Sequence, residues 1–356
     1  MEGLSEFFKG KKVLVTGHTG FKGAWLAEVL SLWGAEVTGV SLDPHTEPNL
    51  FTILNLEKKI NHNVADIRDQ KKLHDVFEKA QPEIVFHLAA QAIVKLSYDE
   101  PLKTIETNVV GTANVLQTIR ETKSIKSAVI ITSDKVYRND EHVYPYREID
   151  YLGGVDPYSA SKAAADIVAQ SFIKCFLSEP DSPLVAITRA GNVIGGGDWS
   201  PNRIVADTVR AIHEKDEALI MRSPKSIRPW QFVLEPLSGY LLLAKKLFEG
   251  EKELVTTWNF GPNDENFVTV QELAEAAIGI LEKGSYKIIP DTSFHESRLL
   301  KLDISKARSM LGWKPKLNLK ETFDYTFGWY KNYYNKIEPS EVFTDHQILE
   351  FFNTKR

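Results

Sequence analysis

Cysteine is all but missing from this chain. The single thiol, Cys175, excludes an intrachain disulfide and points to a reducing compartment. Cys175 itself reads as a buried helix residue, with a reactive thiol as the alternative. Long apolar runs are missing too. No stretch approaches the ~18 to 20 residues of a membrane span. Met1 to Lys12 lacks the apolar segment and small-residue cleavage site of a secretory leader. Nor is there an excess of positive charge. A net charge of -5 and a pI near 6.0 exclude a global field that would recruit nucleic acid or acidic lipid. The expectation is a cytoplasmic protein with no nucleic-acid and no membrane partner, and no metal is expected. Internal repeats, low-complexity segments and long linkers are also absent.

What is present is a chain of 356 residues, 43% hydrophobic and 26% charged, which suits a folded protein larger than one ordinary core. Strand-like and helix-like runs alternate through its first half, so an α/β Rossmann-type doubly wound parallel sheet is expected, with a second, smaller, interleaved domain. The division expected is 1–187 for the nucleotide-binding domain, with a return segment near 231–260. Residues 188–230 and 261–335 would form the substrate side, and 336–356 an extension whose role the residues do not show.

Lys12 to Thr16 is a short β-branched run, consistent with a buried parallel strand. Glycines follow at 17, 20 and 23, and a helical stretch begins at Ala24. In the run Gly17-His18-Thr19-Gly20-Phe21-Lys22-Gly23, Gly17 permits a tight turn, Gly20 lets backbone N–H groups approach a pyrophosphate, and Gly23 allows close packing of helix on strand. A plain glycine-rich turn is the alternative. A second strand leads to Asp43, roughly 20 positions on, where an acidic residue accepts from an adenosine ribose and favours NAD over NADP. A solvated loop residue is the other reading. Asp66-Ile67 follows another extended run and could face an adenine, or Asp66 could cap the next helix. Ile84 to Ala90 is a strong strand whose small end residues, with Leu88, Ala89 and Ala90, suit a cofactor passing close. Thr16, Ala89, Ser133 and Arg189 all fall at strand ends, which places one cleft there.

Tyr158 and Lys162 stand four apart, on one face of a helix. A phenol near pKa ~10 is a poor base at neutral pH. A cation about 4 Å away contributes roughly 4 kcal/mol at an effective dielectric of 20, or about 3 pKa units. Lys162 could supply that field and hold ribose hydroxyls, with Ser133 donating to the substrate oxygen. This is a device for oxidising a secondary alcohol through a nicotinamide cofactor. Asp134 and Lys135, beside Ser133, exceed what alcohol oxidation needs. They suit removal of water from a sugar, or else form a surface ion pair.

At these residues the sequence resembles the extended short-chain dehydrogenase/reductase family, and within it the nucleotide-sugar 4,6-dehydratases. The resemblance rests on the glycine run, His87-Leu88-Ala89-Ala90-Gln91, Thr132-Ser133-Asp134-Lys135, Tyr158-Ser159-Ala160-Ser161-Lys162, Arg189 to Trp199, and Arg228-Pro229-Trp230-Gln231. Lysine at 135 looks like the branch acting on CDP-glucose, because the dTDP-glucose branch has glutamate there. The resemblance implies bound NAD, contacts to it from Asn108, Tyr158 and Lys162, and a homodimer or dimer-based homotetramer. The helices near 108–120 and 158–175 would pack across the subunit interface. It also implies that Tyr158 takes the 4-hydroxyl proton, Lys135 the C5 proton, and Asp134 protonates the departing 6-hydroxyl. Hydride leaves C4 and returns to C6. Gln91, Asn192, Arg203 and Arg228 are the substrate-binding candidates. Trp230 either stacks on a base or packs inside the protein. A lysine base must be neutral, so the scheme requires Lys135 deprotonated while Asp134 is protonated. Two other readings remain: a nucleotide-sugar 4-epimerase, which has no role for the Asp/Lys pair, and a non-catalytic nucleotide sensor, which has no need of the proton relay.

Overall fold

The computed structural model describes residues 3–263, 267–289 and 300–354. Seven parallel strands form its central sheet: β1 (Lys12–Thr16), β2 (Glu36–Ser41), β3 (Asn61–Val64), β4 (Ile84–His87), β5 (Ser127–Ile131), β6 (Leu184–Ala190) and β7 (Thr257–Phe260). Their order across the sheet is β7-β6-β5-β4-β1-β2-β3. The order reverses between β1 and β4, which pair from Val13↔Ile84 to Thr16↔His87. That reversal is where a doubly wound sheet opens a crevice at the strands' carboxyl ends.

Strand periodicity explains why both faces are covered. Val13 and Val15, Phe86, Val129 and Ile131 enter one core; Leu14, Val85, Ala128 and Ile130 enter the other. Helix α1 (Phe21–Leu32) follows β1, α2 (Gln70–Ala80) follows β3, α3 (Gly111–Glu121) follows β4, α4 (Pro157–Phe176) follows β5, and α5 (Leu234–Phe248) precedes β7. Trp25 and Val29 of α1, with Leu237 and Leu241 of α5, fill the first core; Phe77 of α2, Val115 of α3 and Ala169 of α4 fill the second.

Beyond β6 the chain forms short strand pairs. Gln231–Phe232 pairs with Val193–Ile194, Phe267–Thr269 with Ile227–Pro229, and Tyr286–Ile288 with Leu219–Met221. Helix α6 (Val270–Leu281) begins at a capping box between Thr269 and Glu272, and α7 (Leu319–Asn335) at one between Asn318 and Glu321. The last helix, α8 (Ser340–Asn353), buries Ile348 and Phe351 in the first core. Trp329 of α7 donates from Nε1 to Thr344 Oγ1 of α8 at 2.8 Å.

Candidate active site

The glycine turn is built as the sequence requires. Gly17 sits at φ 79, and a Cβ there would stand 2.7 Å from the Ala89 nitrogen. A Cβ at Gly23 would overlap the Gly17 carbonyl. Gly20 caps α1 without a side-chain bond, which leaves the helix's first N–H groups for an anionic group. A dinucleotide pyrophosphate fits this cradle. On the adenosine side, Ser41 ends β2, and its hydroxyl lies 2.7 Å from Thr19 Oγ1, which donates to Leu42 O at 2.8 Å. Asp43 falls past the strand end and is exposed, because pairing with β3 stops at Ser41↔Val64. Asp66 caps no helix; Asp69 does, accepting from Lys72 N. Asp66 pairs with Arg68 at 2.7 Å, and those hydrogen bonds hold its carboxyl below the usual range. Ile67 is buried against Gly111.

At the end of β4, His87 is buried between two threonines. Thr16 Oγ1 accepts from Ala89 N, so its own proton goes to His87 Nδ1 at 2.7 Å. Thr112 Oγ1 donates to Asn108 O and accepts from His87 Nε2 at 3.0 Å. Burial, with Lys162 nearby, pushes the His87 pKa down to about 3, so the ring stays neutral. Asn108 is buried and donates to Gln91 O and to Ser161 Oγ on the catalytic helix. The Gln91 amide is spent on Thr104 Oγ1 and the Ile93 nitrogen. Asn108 therefore ties the loop after β4 to α4, and Gln91 ties that loop to Thr104. Leu88, Ala89 and Ala90 lie half-buried above the crevice.

Asp156 caps α4 by accepting from Ser159 N at 2.9 Å, and Pro157 takes the first helical position. Tyr158 and Lys162 are both buried on this helix. Facing them, Ser133 caps the short turn Asp134–Val136, accepting from Lys135 N at 3.2 Å and donating to Asp134 Oδ1 at 3.1 Å. Burial raises the Tyr158 pKa; a hydrogen bond with Ser133 pulls it down and Asp134 pushes it up. The Arg203 guanidinium also pulls the phenol down, so it adds to the field that was expected from Lys162. Lys162 is itself lowered to about 7 by burial and by Lys22, and its Nζ donates to Ile131 O at 3.4 Å. Lys22 is lowered to about 8, first by burial, and it feels both Arg203 and Asp134.

Arg203 is held by Asp198, Nη1 to Oδ2 at 2.7 Å. Asp198 lies on a loop fixed by Tyr330, whose hydroxyl bonds both its N and its O. Asn192 is half-buried at φ 51. Arg228 is buried and donates to Ile227 O at 3.0 Å. Trp230 is 5% exposed and packs in the large core. Arg189 does not face the crevice. It is 0% exposed and grips Asp166 of α4 with two bonds, at 2.8 and 2.9 Å. Asp166 also accepts from Thr132 Oγ1, and Arg189 donates to Tyr137 Oη. This buried pair ties β6 to α4 and to Tyr137, the residue following the Asp134–Val136 turn. Cys175 is exposed on α4, against the expectation of burial. Sequence reasoning missed His87, Asp166 and Asp198. Asp166 carried a signal, standing one helical turn beyond Lys162.

The family model described as GDP-mannose 4,6 dehydratase matches residues 14–326. CDP-glucose 4,6-dehydratase of Salmonella typhimurium is 45% identical over 330 residues, covering 91% of this chain and 92% of that protein. A dTDP-D-glucose 4,6-dehydratase of Dictyostelium discoideum is 26% identical, covering 90% and 82%. Among solved structures, UDP-glucose 4-epimerase of Thermotoga maritima superposes with a TM-score of 0.76 at 24% identity, covering 90% and 99%. A dTDP-glucose 4,6-dehydratase of Streptomyces venezuelae solved with NAD gives 0.77 at 23%, covering 92% and 99%. These two share the fold.

Proposed function

The chain belongs to the GDP-mannose 4,6 dehydratase family, and we propose that it is the hydro-lyase that converts CDP-D-glucose to CDP-4-dehydro-6-deoxy-D-glucose. The observation that carries this reading is the turn Ser133-Asp134-Lys135 set against Tyr158 and Lys162, in a chain 45% identical to a CDP-glucose 4,6-dehydratase. The cofactor is NAD, which when bound takes hydride from C4 and returns it to C6.

The chain's own residues do the rest. The first turn of α1, with Gly17, Thr19, Gly20, Phe21 and Lys22 around it, holds the dinucleotide phosphates. Lys162 holds the ribose hydroxyls. Ser133 Oγ and Tyr158 Oη meet the sugar 4-hydroxyl, and Tyr158 Oη takes its proton. Lys135 Nζ takes the C5 proton once a carbonyl stands at C4. The Asp134 carboxyl gives its proton to the leaving 6-hydroxyl. Asn192, Arg203 and Arg228 bind the diphosphate and sugar, and two arginines suit that charge. Residues 188–230 and 261–335 form this substrate side, while 1–187 and 231–260 form the nucleotide side.

The assembly is a homodimer or a dimer of dimers. Leu102, Ile105 and Val110 before α3 and Ile167 and Phe176 on α4 are large, apolar and exposed, as a subunit interface would need. The location is cytoplasmic; among the described residues no helix is long and apolar enough to cross a membrane.

A substrate panel tests the function. CDP-, dTDP-, UDP- and GDP-hexoses are each incubated with the protein and NAD, and products are read by mass. Loss of one water from CDP-glucose alone is expected. Loss from dTDP-glucose instead would overturn the nucleotide assignment, and an unchanged mass with a changed configuration would make the protein an epimerase.

A further inference from the structure

The scheme above leaves a glycine and a glutamine at the site without a part. Gly191 follows β6. A Cβ built on it would overlap Asp134 Cγ and Oδ2 and stand 2.5 Å from Oδ1. The carboxyl thus occupies the volume that any other residue at 191 would claim. Asp134 is 3% exposed and accepts from Ser133 Oγ; Lys22, Tyr158 and Tyr240 feel its charge, and the Gly191 backbone lies against its carboxyl. The turn carrying Gly191 is gripped by one residue. Gln231 donates from its backbone N to Asn192 O at 3.2 Å, and from Nε2 to Gly191 O at 2.8 Å and Phe260 O at 3.1 Å. Gln231 is 1% exposed. Its side chain therefore fixes the turn after β6 to the last residue of β7.

We propose that Gly191 and Gln231 are positioning residues for proton delivery to the departing 6-hydroxyl. Gly191 forms the seat of the Asp134 carboxyl, and Gln231 holds that seat in place. The inference rests on the dehydratase reading. In the step concerned, the C5–H electron pair becomes the second C5–C6 bond and the proton passes to Lys135. The C6–O bond breaks with its electrons on oxygen, and the Asp134 proton makes the leaving hydroxide water, so Asp134 ends as a carboxylate. Oxidation at C4 draws no proton from Asp134. Filling the seat must therefore separate the two half-reactions.

The test compares wild type with Gly191→Ala, Asp134→Asn and the double variant on two substrates. CDP-glucose reports water loss by mass. CDP-6-deoxyglucose has no 6-hydroxyl to lose and reports C4 oxidation alone, as NADH absorbance. Displacing a reacting group by about 1 Å costs on the order of 100-fold, so G191A is expected to lose about 100-fold in water loss while C4 oxidation stays within about threefold. The double variant is expected to be no slower than D134N, because both changes disable one group. Parallel losses on both substrates, full dehydration by G191A, or multiplying losses in the double variant would each overturn the proposal. Gln231→Met keeps the volume without the amide donors and is held to the same outcomes, should G191A not fold. A wild type that dehydrates no CDP-glucose would overturn the dehydratase reading together with the proposal.

Discussion

At the scale of single residues, burial more than neighbouring charge sets protonation at this site. Tyr158 is raised chiefly by desolvation, and the cation that offsets this is Arg203. The phenol must lose its proton to act, so activity falls as pH drops. Removing a cation that lowers its pKa moves that acid limb upward. Arg203→Met is therefore expected to shift the acid limb of kcat/KM to higher pH, as well as raising KM; an unmoved limb would separate Arg203 from the phenol. Lys135→Met is expected to keep NAD bound while stopping entry of solvent deuterium at C5, checked by mass on single turnovers. Exchange at the normal rate would remove Lys135 as the base. The glycine turn and the Tyr/Lys pair were legible because each needs particular residue types at fixed spacing. The direction of Arg189 was not. A strand-end position says which end of the sheet a residue occupies, and packing decides whether its side chain turns to the crevice or to Asp166.

At the scale of elements, the last helix gains a role that its sequence did not reveal. No motif marks 336–356, yet α8 reaches the cofactor-side helix α1 through charge. Lys59 Nζ lies 2.5 Å from Glu28 Oε1 of α1 and 2.8 Å from Glu341 Oε1 of α8, and Asp345 of α8 shares a hydrogen bond with Glu28. Burial, opposed by Lys59 and reinforced by Asp345, pushes Glu28 up to about 7 from 4.5. The folded chain thus keeps a proton that the unfolded chain releases first. The stability this group contributes is complete below about pH 4.5 and is lost as pH rises through about 7. Glu28→Gln removes the titration. The melting temperature of wild type relative to E28Q is expected to fall as pH rises across that window; a constant difference would mean that Glu28 does not hold the proton. The sheet itself was legible because alternating apolar residues cover both faces. The π-helical turns at Glu106–Val110 and Arg210–Lys215 were not, since they shift hydrogen-bond register without changing the apolar pattern.

At the scale of the molecule, residues from widely separated segments come within electrostatic reach of one another: Lys22, Ser133, Asp134, Tyr158, Lys162 and Arg203. Outside this group, the exposed apolar residues from Leu102 to Val110 and at Ile167 and Phe176 mark the face proposed to join subunits. Ile167→Glu is expected to yield monomers by light scattering; an assembly of unchanged mass would place the interface elsewhere. In the proposed reaction one site oxidises C4 and then expels the 6-hydroxyl. The most direct measurement uses CDP-glucose carrying deuterium at C4. The product is expected to be one water lighter and to hold that deuterium at C6. A product of unchanged mass with deuterium still at C4, or a dehydrated product without deuterium at C6, would contradict it.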